Sequence, residues 1–208
     1  MQDVFKIKGK KFGSGKPVIC VPITSTTTDE ILGEIRQYTK MKIPMIEWRV
    51  DFFDKISSLK AVKQLIYSAG EYLTDTVFLF TFRSKKQGGN IQIPEKKILD
   101  LNDVAADSGV VDIIDLEFFE AAFPVREIEK YQKKGVKVIA SHHDFEQMPD
   151  DKVIDMLLEQ MAQGGADIIK FAAMPQEESD VLRLANANIK IKKKYPTLPT
   201  VTMSMGPL

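Results

Sequence analysis

A β-then-α alternation that recurs about every thirty residues most constrains how this chain can fold. Short apolar runs rich in β-branched residues are expected as strands over Val18–Thr24, Met45–Asp51, Thr76–Arg83, Val111–Phe118, Lys137–Asp144, Ala166–Met174 and Thr200–Gly206. Longer amphipathic runs separate them. Helices are expected from Thr28 or Asp29 to Lys40, Ser57 to Tyr72, onward from Pro94, Pro124 to Lys134, Pro149 to Gln163 and Gln176 to Lys194. Ser, Thr and Asp suit helix starts, Pro suits the first helical turn, and Gly135 suits a stop. The pattern calls for a parallel sheet with helical crossovers. No Gly-rich phosphate loop follows the first strand, which favours a barrel over a doubly wound sheet. An open α/β sheet is the alternative. The opening segment Val4–Gly15 also alternates and fits a hairpin outside the repeat.

The fold class expected is therefore α/β, a (β/α)8 TIM barrel with an N-terminal hairpin, as one domain over residues 1–208. A closed barrel needs eight strands, because strand number, tilt and shear are coupled. Only two residues follow the seventh strand. Strand eight and the last helices are expected to belong to a C-terminal part outside this sequence.

Composition excludes more than it assigns. Charges balance at 29 positive and 29 negative, so nothing draws the chain to nucleic acid or anionic lipid. One cysteine, Cys20, allows neither an internal disulfide nor a multi-cysteine zinc site. It sits in the first strand and is expected in the core. No stretch has signal-peptide or membrane-span character. A soluble cytoplasmic protein is expected.

In such barrels chemistry gathers where strands end. Glu47, Arg49 and Asp51 alternate at the end of the second strand and should share one face. Arg83 ends the third, Asp115 and Glu117 share a face of the fourth, and Ser141–Asp144 end the fifth. Lys170 lies inside the apolar run IIKFAAM. A buried ammonium is costly, desolvation favours the neutral amine, and a neutral amine can attack a ketone. The competing readings are a lysine snorkelling from the strand end and one paired with Glu117. His142 and His143 are adjacent, so only one can face inward. His143 is the natural proton carrier, against a reading in which it is merely packed. Arg49 and Arg83 could hold a carboxylate or hydroxyls, or belong to a network with Glu47, Asp51 or Asp115. Met203 and Met205 fit core packing as readily as a pocket wall. Lys, His, Arg and Glu without metal-ligand spacing suggest imine chemistry with no metal and no cofactor.

The segments IEWRVD (46–51), FTFRS (80–84), DIIDLE (112–117), SHHDF (141–145), ADIIKFAAMP (166–175) and VTMSMG (201–206) resemble those of type I 3-dehydroquinate dehydratases, in the same order and along nearly the whole chain. The resemblance implies a barrel lyase of the shikimate pathway, usually a homodimer, acting on 3-dehydroquinate. It implies Lys170 as the imine-forming lysine, His143 as general acid and base, and Glu47, Arg49 and Arg83 as substrate-binding residues. Met203 and Met205 would line the pocket. Two departures stand out. Gln87 occupies the place of a glutamate that pairs with the histidine in the family. The arginine, strand and closing loop that follow SMG in the family are not in this sequence. Two alternatives remain: another imine-forming barrel, such as a class I aldolase, and a barrel relic or fragment without turnover.

Overall fold

The computed structural model describes residues 5–208. Val4, the first residue of the expected hairpin segment, lies outside them. Two short antiparallel strands, β1 (Lys6–Ile7) and β2 (Lys10–Lys11), form the hairpin. The repeat then runs β3 (Cys20–Ile23), α1 (Thr28–Lys40), β4 (Met45–Arg49), α2 (Leu59–Gly70), β5 (Val77–Thr81), α3 (Glu95–Ala106), β6 (Ile113–Glu117) and α4 (Pro124–Lys133). It continues β7 (Lys137–Asp144), α5 (Asp151–Gln163), β8 (Ile168–Ala173), α6 (Glu178–Lys194) and β9 (Thr200–Ser204). The seven strands β3 to β9 pair in parallel and in chain order. The sheet curls with helices on its convex face, and β3 and β9 remain its two edges.

Local chemistry explains the elements. Helix α1 starts with a capping box. Thr27 Oγ1 accepts from the Glu30 N–H at 3.4 Å, and the Glu30 carboxylate accepts from the Thr27 N–H at 3.1 Å. The cap is thus one residue earlier than expected, because only Thr27 has extended backbone with a glutamate three residues on. Pro94 caps α3 rather than opening it. The strand starting at Met45 stops at Arg49, and Asp51 lies in a 3-10 turn spanning Val50–Phe52. Asp51 therefore does not continue the alternation.

Alternation sorts the strand residues into two cores. Ile46, Trp48, Phe78, Phe80, Ile114, Leu116, Val138, Ile169 and Phe171 face the helices in one large cluster. There Trp48 meets Phe53 and Phe80 edge-on, each at 5.6 Å between centroids. A second cluster fills the bottom of the curl with Met45, Val77, Leu79, Ile113, Ile139 and Ile168, and Phe12 of the hairpin segment seals it. One strand-layer above this floor, the inward side chains become polar.

Cys20 corrects the expectation of a buried thiol. It is exposed, because β3 is an edge strand that pairs with β4 alone among the described residues. Burial of the sulfur on its protein side and the nearby Glu47 carboxylate still push the thiol up to about 12. It is therefore not a ready thiolate.

Candidate active site

The strand registers decide which side chains share the concave face. Pro22 aligns with Glu47, Glu47 with Leu79, Thr81 with Asp115, Glu117 with Ser141, Ser141 with Lys170, and Lys170 with Val201. His143 aligns with Ala172, and Ala172 with Met203. The concave face thus gathers Glu47, Asp115, Glu117, Ser141, His143, Lys170 and Met203, as alternation requires.

Lys170 and Glu47 line an open cavity of about 750 Å³ together with Cys20, Pro22 and Met203. No hydrogen bond or ion pair joins Lys170 to any described residue. The alternative in which Glu117 pairs with it does not hold, because Glu117 is taken by Arg83. Met205 lies past the end of β9, its N–H bonded to Ala173 O at 2.9 Å, and it is not among the cavity-lining residues.

The two histidines divide as alternation demands. His142 faces the helices, edge-on to Phe119 at 5.2 Å and stacked on Phe171 at 6.1 Å. His143 faces inward. Its backbone N–H and its ring Nδ1 both lie 3.0 Å from Gln87 Oε1. A backbone N–H can only donate, so Gln87 must present its oxygen here. The ring nitrogen facing the same oxygen must then also donate. The lone pair consequently sits on Nε2. Burial, with Arg83 and Lys170 nearby, pushes the His143 imidazole down to about 2. It is a neutral base with a fixed tautomer.

Gln87 is carried by a tight loop. Its own N–H and that of Gly89 both donate to Ser84 O, at 2.9 and 2.8 Å. Gly88 adopts φ +81° against the Phe145 ring, and a Cβ on Gly89 would stand 1.8 Å from Arg83 O. Replacing Gly89 with alanine is therefore expected to cost about 1–3 kcal/mol, as overpacking does. Urea unfolding reads that loss, and an unchanged midpoint would contradict it.

The arginines differ. Arg83 is buried, at 2.8 Å from Asp115 and 3.0 Å from Glu117, and it donates to Ser141 Oγ at 2.9 Å. Ser141 Oγ donates to Asp115 at 2.6 Å. Burial raises Glu117 above the usual carboxylate range despite Arg83. Arg49 is half-buried, held by both oxygens of Asp51 at 2.8 Å each and lying over the Phe52 ring. Asp51 also accepts from the backbone N–H of Asn90 at 3.0 Å, which ties Arg49 to the Gln87 loop. Both network readings of the arginines thus hold. Asp51 was among the network partners that sequence reasoning named for the arginines, whereas Ser141 as the hub was missed. A hydroxyl two residues before His143 on the same strand face was the available signal for it.

Among the described residues, no group of three or more His, Cys, Asp or Glu side chains could hold a metal ion, and no helix is long and apolar enough to cross a membrane.

Comparison with known proteins places this arrangement. Residues 19–208 match the family model described as type I 3-dehydroquinase. The chain is 40% identical over 207 residues to the 3-dehydroquinate dehydratase of Klebsiella pneumoniae subsp. pneumoniae, covering 99% of this chain and 82% of that protein. It is 39% identical to that of Clostridioides difficile, covering 99% and 81%. Among solved structures it is similar to a type I 3-dehydroquinate dehydratase from Clostridium difficile with covalent modified comenic acid, with TM-score 0.95, 39% identity, and 99% and 82% of the two chains covered. It is also similar to the Enterococcus faecalis 3-dehydroquinate dehydratase, with TM-score 0.91, 33% identity, and coverage of 96% and 84%.

Proposed function

Because this chain belongs to the type I 3-dehydroquinase family, we propose that it is a hydro-lyase that dehydrates 3-dehydroquinate to 3-dehydroshikimate through a Schiff base on Lys170. The observation that carries the reading is an inward lysine without an ion-pair partner among the described residues, on the strand beside a neutral, tautomer-fixed His143. Family membership supports the substrate and the shikimate pathway.

The Lys170 amine condenses with the C3 ketone and releases water, leaving an iminium. The iminium withdraws electrons from C2, and His143 Nε2 removes the C2 proton. The resulting enamine expels the C1 hydroxyl, which takes the proton from His143 and leaves as water. Hydrolysis of the product imine returns the lysine amine. Lysine is the electron sink, so the steps need no cofactor. Glu47, Arg49 and Arg83 bind substrate in this reading. Arg83 acts from within its carboxylate network, and Arg49 offers the donor that Asp51 leaves free. Met203 walls the pocket. The described residues belong to a single barrel catalytic domain in this reading, and the enzyme works as a cytoplasmic homodimer. Light scattering at a single-chain mass would contradict the dimer.

Gln87 fixes the histidine but adds no charge. Placing a glutamate there sets an anion beside Nδ1 and raises the His143 pKa. His143 must be neutral to act as base, so the acid limb of the kcat/KM profile for Gln87→Glu is expected to move to higher pH, by about 1–3 units. An unmoved profile would contradict the pairing.

The activity test is direct. Incubation with 3-dehydroquinate should produce the ultraviolet absorbance of a conjugated enone. Cleavage of sugar phosphates without that absorbance would favour an aldolase, and absence of both from a folded protein would favour a relic.

A further inference from the structure

We propose that Asp115 supplies the fixed negative charge that stabilises the cations formed on Lys170 and His143 during the imine cycle, as a positioning residue that does not itself touch substrate. The proposal rests on the Schiff-base reading above.

Asp115 is on the concave face of β6 and only 2% exposed. Its Oδ1 is held by Ser141 at 2.6 Å and by Arg83 at 2.8 Å, while its Oδ2 has no hydrogen-bond partner. Ser141 is the strand neighbour of Lys170, and His143 is the next concave-face residue on β7. The carboxylate is therefore one side chain removed from both reacting groups.

The network sets two carboxylates, Asp115 and Glu117, against the single guanidinium of Arg83. Glu117 also accepts from the Ser84 N–H at 2.9 Å and so carries the loop. A buried carboxylate oxygen left unpaired costs stability. Burial opposes the Asp115 charge, yet the Arg83 guanidinium beside it outweighs burial and holds the carboxyl below its usual range. The Asp115 carboxylate, with its Oδ2 unpaired, is thus charged before the iminium forms. Both the iminium and the imidazolium of the cycle are positive, and both would be expensive in a buried site without a counter-charge.

The other titratable groups that line the cavity with Lys170 are Cys20 from β3, Glu47 from β4, Lys11 from β2, Lys16, and Lys192 from α6. Arg83 beyond β5, Glu117 from β6 and His143 from β7 belong to the neighbouring strands. Cys20 is held neutral, and Arg83 and the other lysines have the wrong sign. Glu47 is the rival anion, but it lines the open cavity, where solvent screens it.

Borohydride trapping with 3-dehydroquinate across a pH series tests the proposal. Borohydride reduces the protonated iminium, so trapping declines as pH rises through the iminium pKa. A neighbouring anion raises that midpoint. Asp115→Asn is expected to lower it by about one pH unit or more and to cut kcat about tenfold or more with KM little changed. Ser141→Ala keeps the charge and should keep the wild-type midpoint. An unmoved midpoint in a folded Asp115→Asn overturns the proposal. So does a shift found in Glu47→Gln instead, or an equal shift in Ser141→Ala, which would assign the effect to the scaffold. If Asp115→Asn does not fold, Asp115→Glu takes its place: a retained midpoint agrees, and a shift of a unit overturns. A wild-type protein that traps nothing at any pH removes the Schiff-base reading itself, and this proposal with it.

Discussion

Lys170→Met is expected to lower kcat by about 10⁴-fold or more, the scale of loss when a covalent nucleophile is removed. Methionine keeps the unbranched stem and fits the same strand face of β8, between the helix-facing Ile169 and Phe171. The amine makes no ion pair or hydrogen bond among the described residues, so its removal orphans no partner. Fold and melting temperature should persist while the reaction fails. Substrate should still bind through the arginines, so KM or a dissociation constant should change far less than kcat. That split separates a covalent role from packing. Retained turnover in Lys170→Met would end the imine account.

His143→Ala should act differently on two observables. Without the proton carrier, kcat is expected to fall by about 10²- to 10⁴-fold. The lysine can still condense with substrate, so a covalent adduct should accumulate rather than vanish. On acidification His143→Ala should lose less stability than the parent. The folded imidazole is pushed down to about 2, while in the unfolded chain it titrates near its ordinary value of about 6.5. Below that value the unfolded state binds a proton that the folded state refuses. Stability therefore falls as pH drops from about 6.5 and is unaffected above it. At pH 5 the cost is about 2 kcal/mol. Denaturant unfolding at pH 7 and pH 5 should show a smaller loss in His143→Ala than in the parent. Equal losses would place the acid sensitivity elsewhere.

The repeat was legible because each strand is a β-branched run and each crossover is amphipathic. Alternation alone placed Glu47 with its strand mates and Asp115 with Glu117 on shared faces, but it left open which of His142 and His143 faces inward and where Lys170 points. What alternation cannot carry is what happens once a strand stops. Asp51 turns into a 3-10 segment and becomes the clamp on Arg49. Arg83 lies past β5 and turns into a buried carboxylate network. The exposure of Cys20 depends on having a strand on only one side, which no local pattern in Cys20–Ile23 encodes. The histidine tautomer depends on Gln87 arriving from a loop 56 residues away. Sequence resemblance flagged Gln87, but only geometry shows its oxygen serving the backbone and the ring together.

The central claim is a covalent bond between Lys170 and substrate. Its most direct test is borohydride reduction in the presence of 3-dehydroquinate, followed by intact-mass measurement and peptide mapping. The account predicts one stable adduct, on the peptide containing Lys170, and none in Lys170→Met. A folded protein that turns over 3-dehydroquinate yet carries no adduct, or carries it on another lysine, would contradict it.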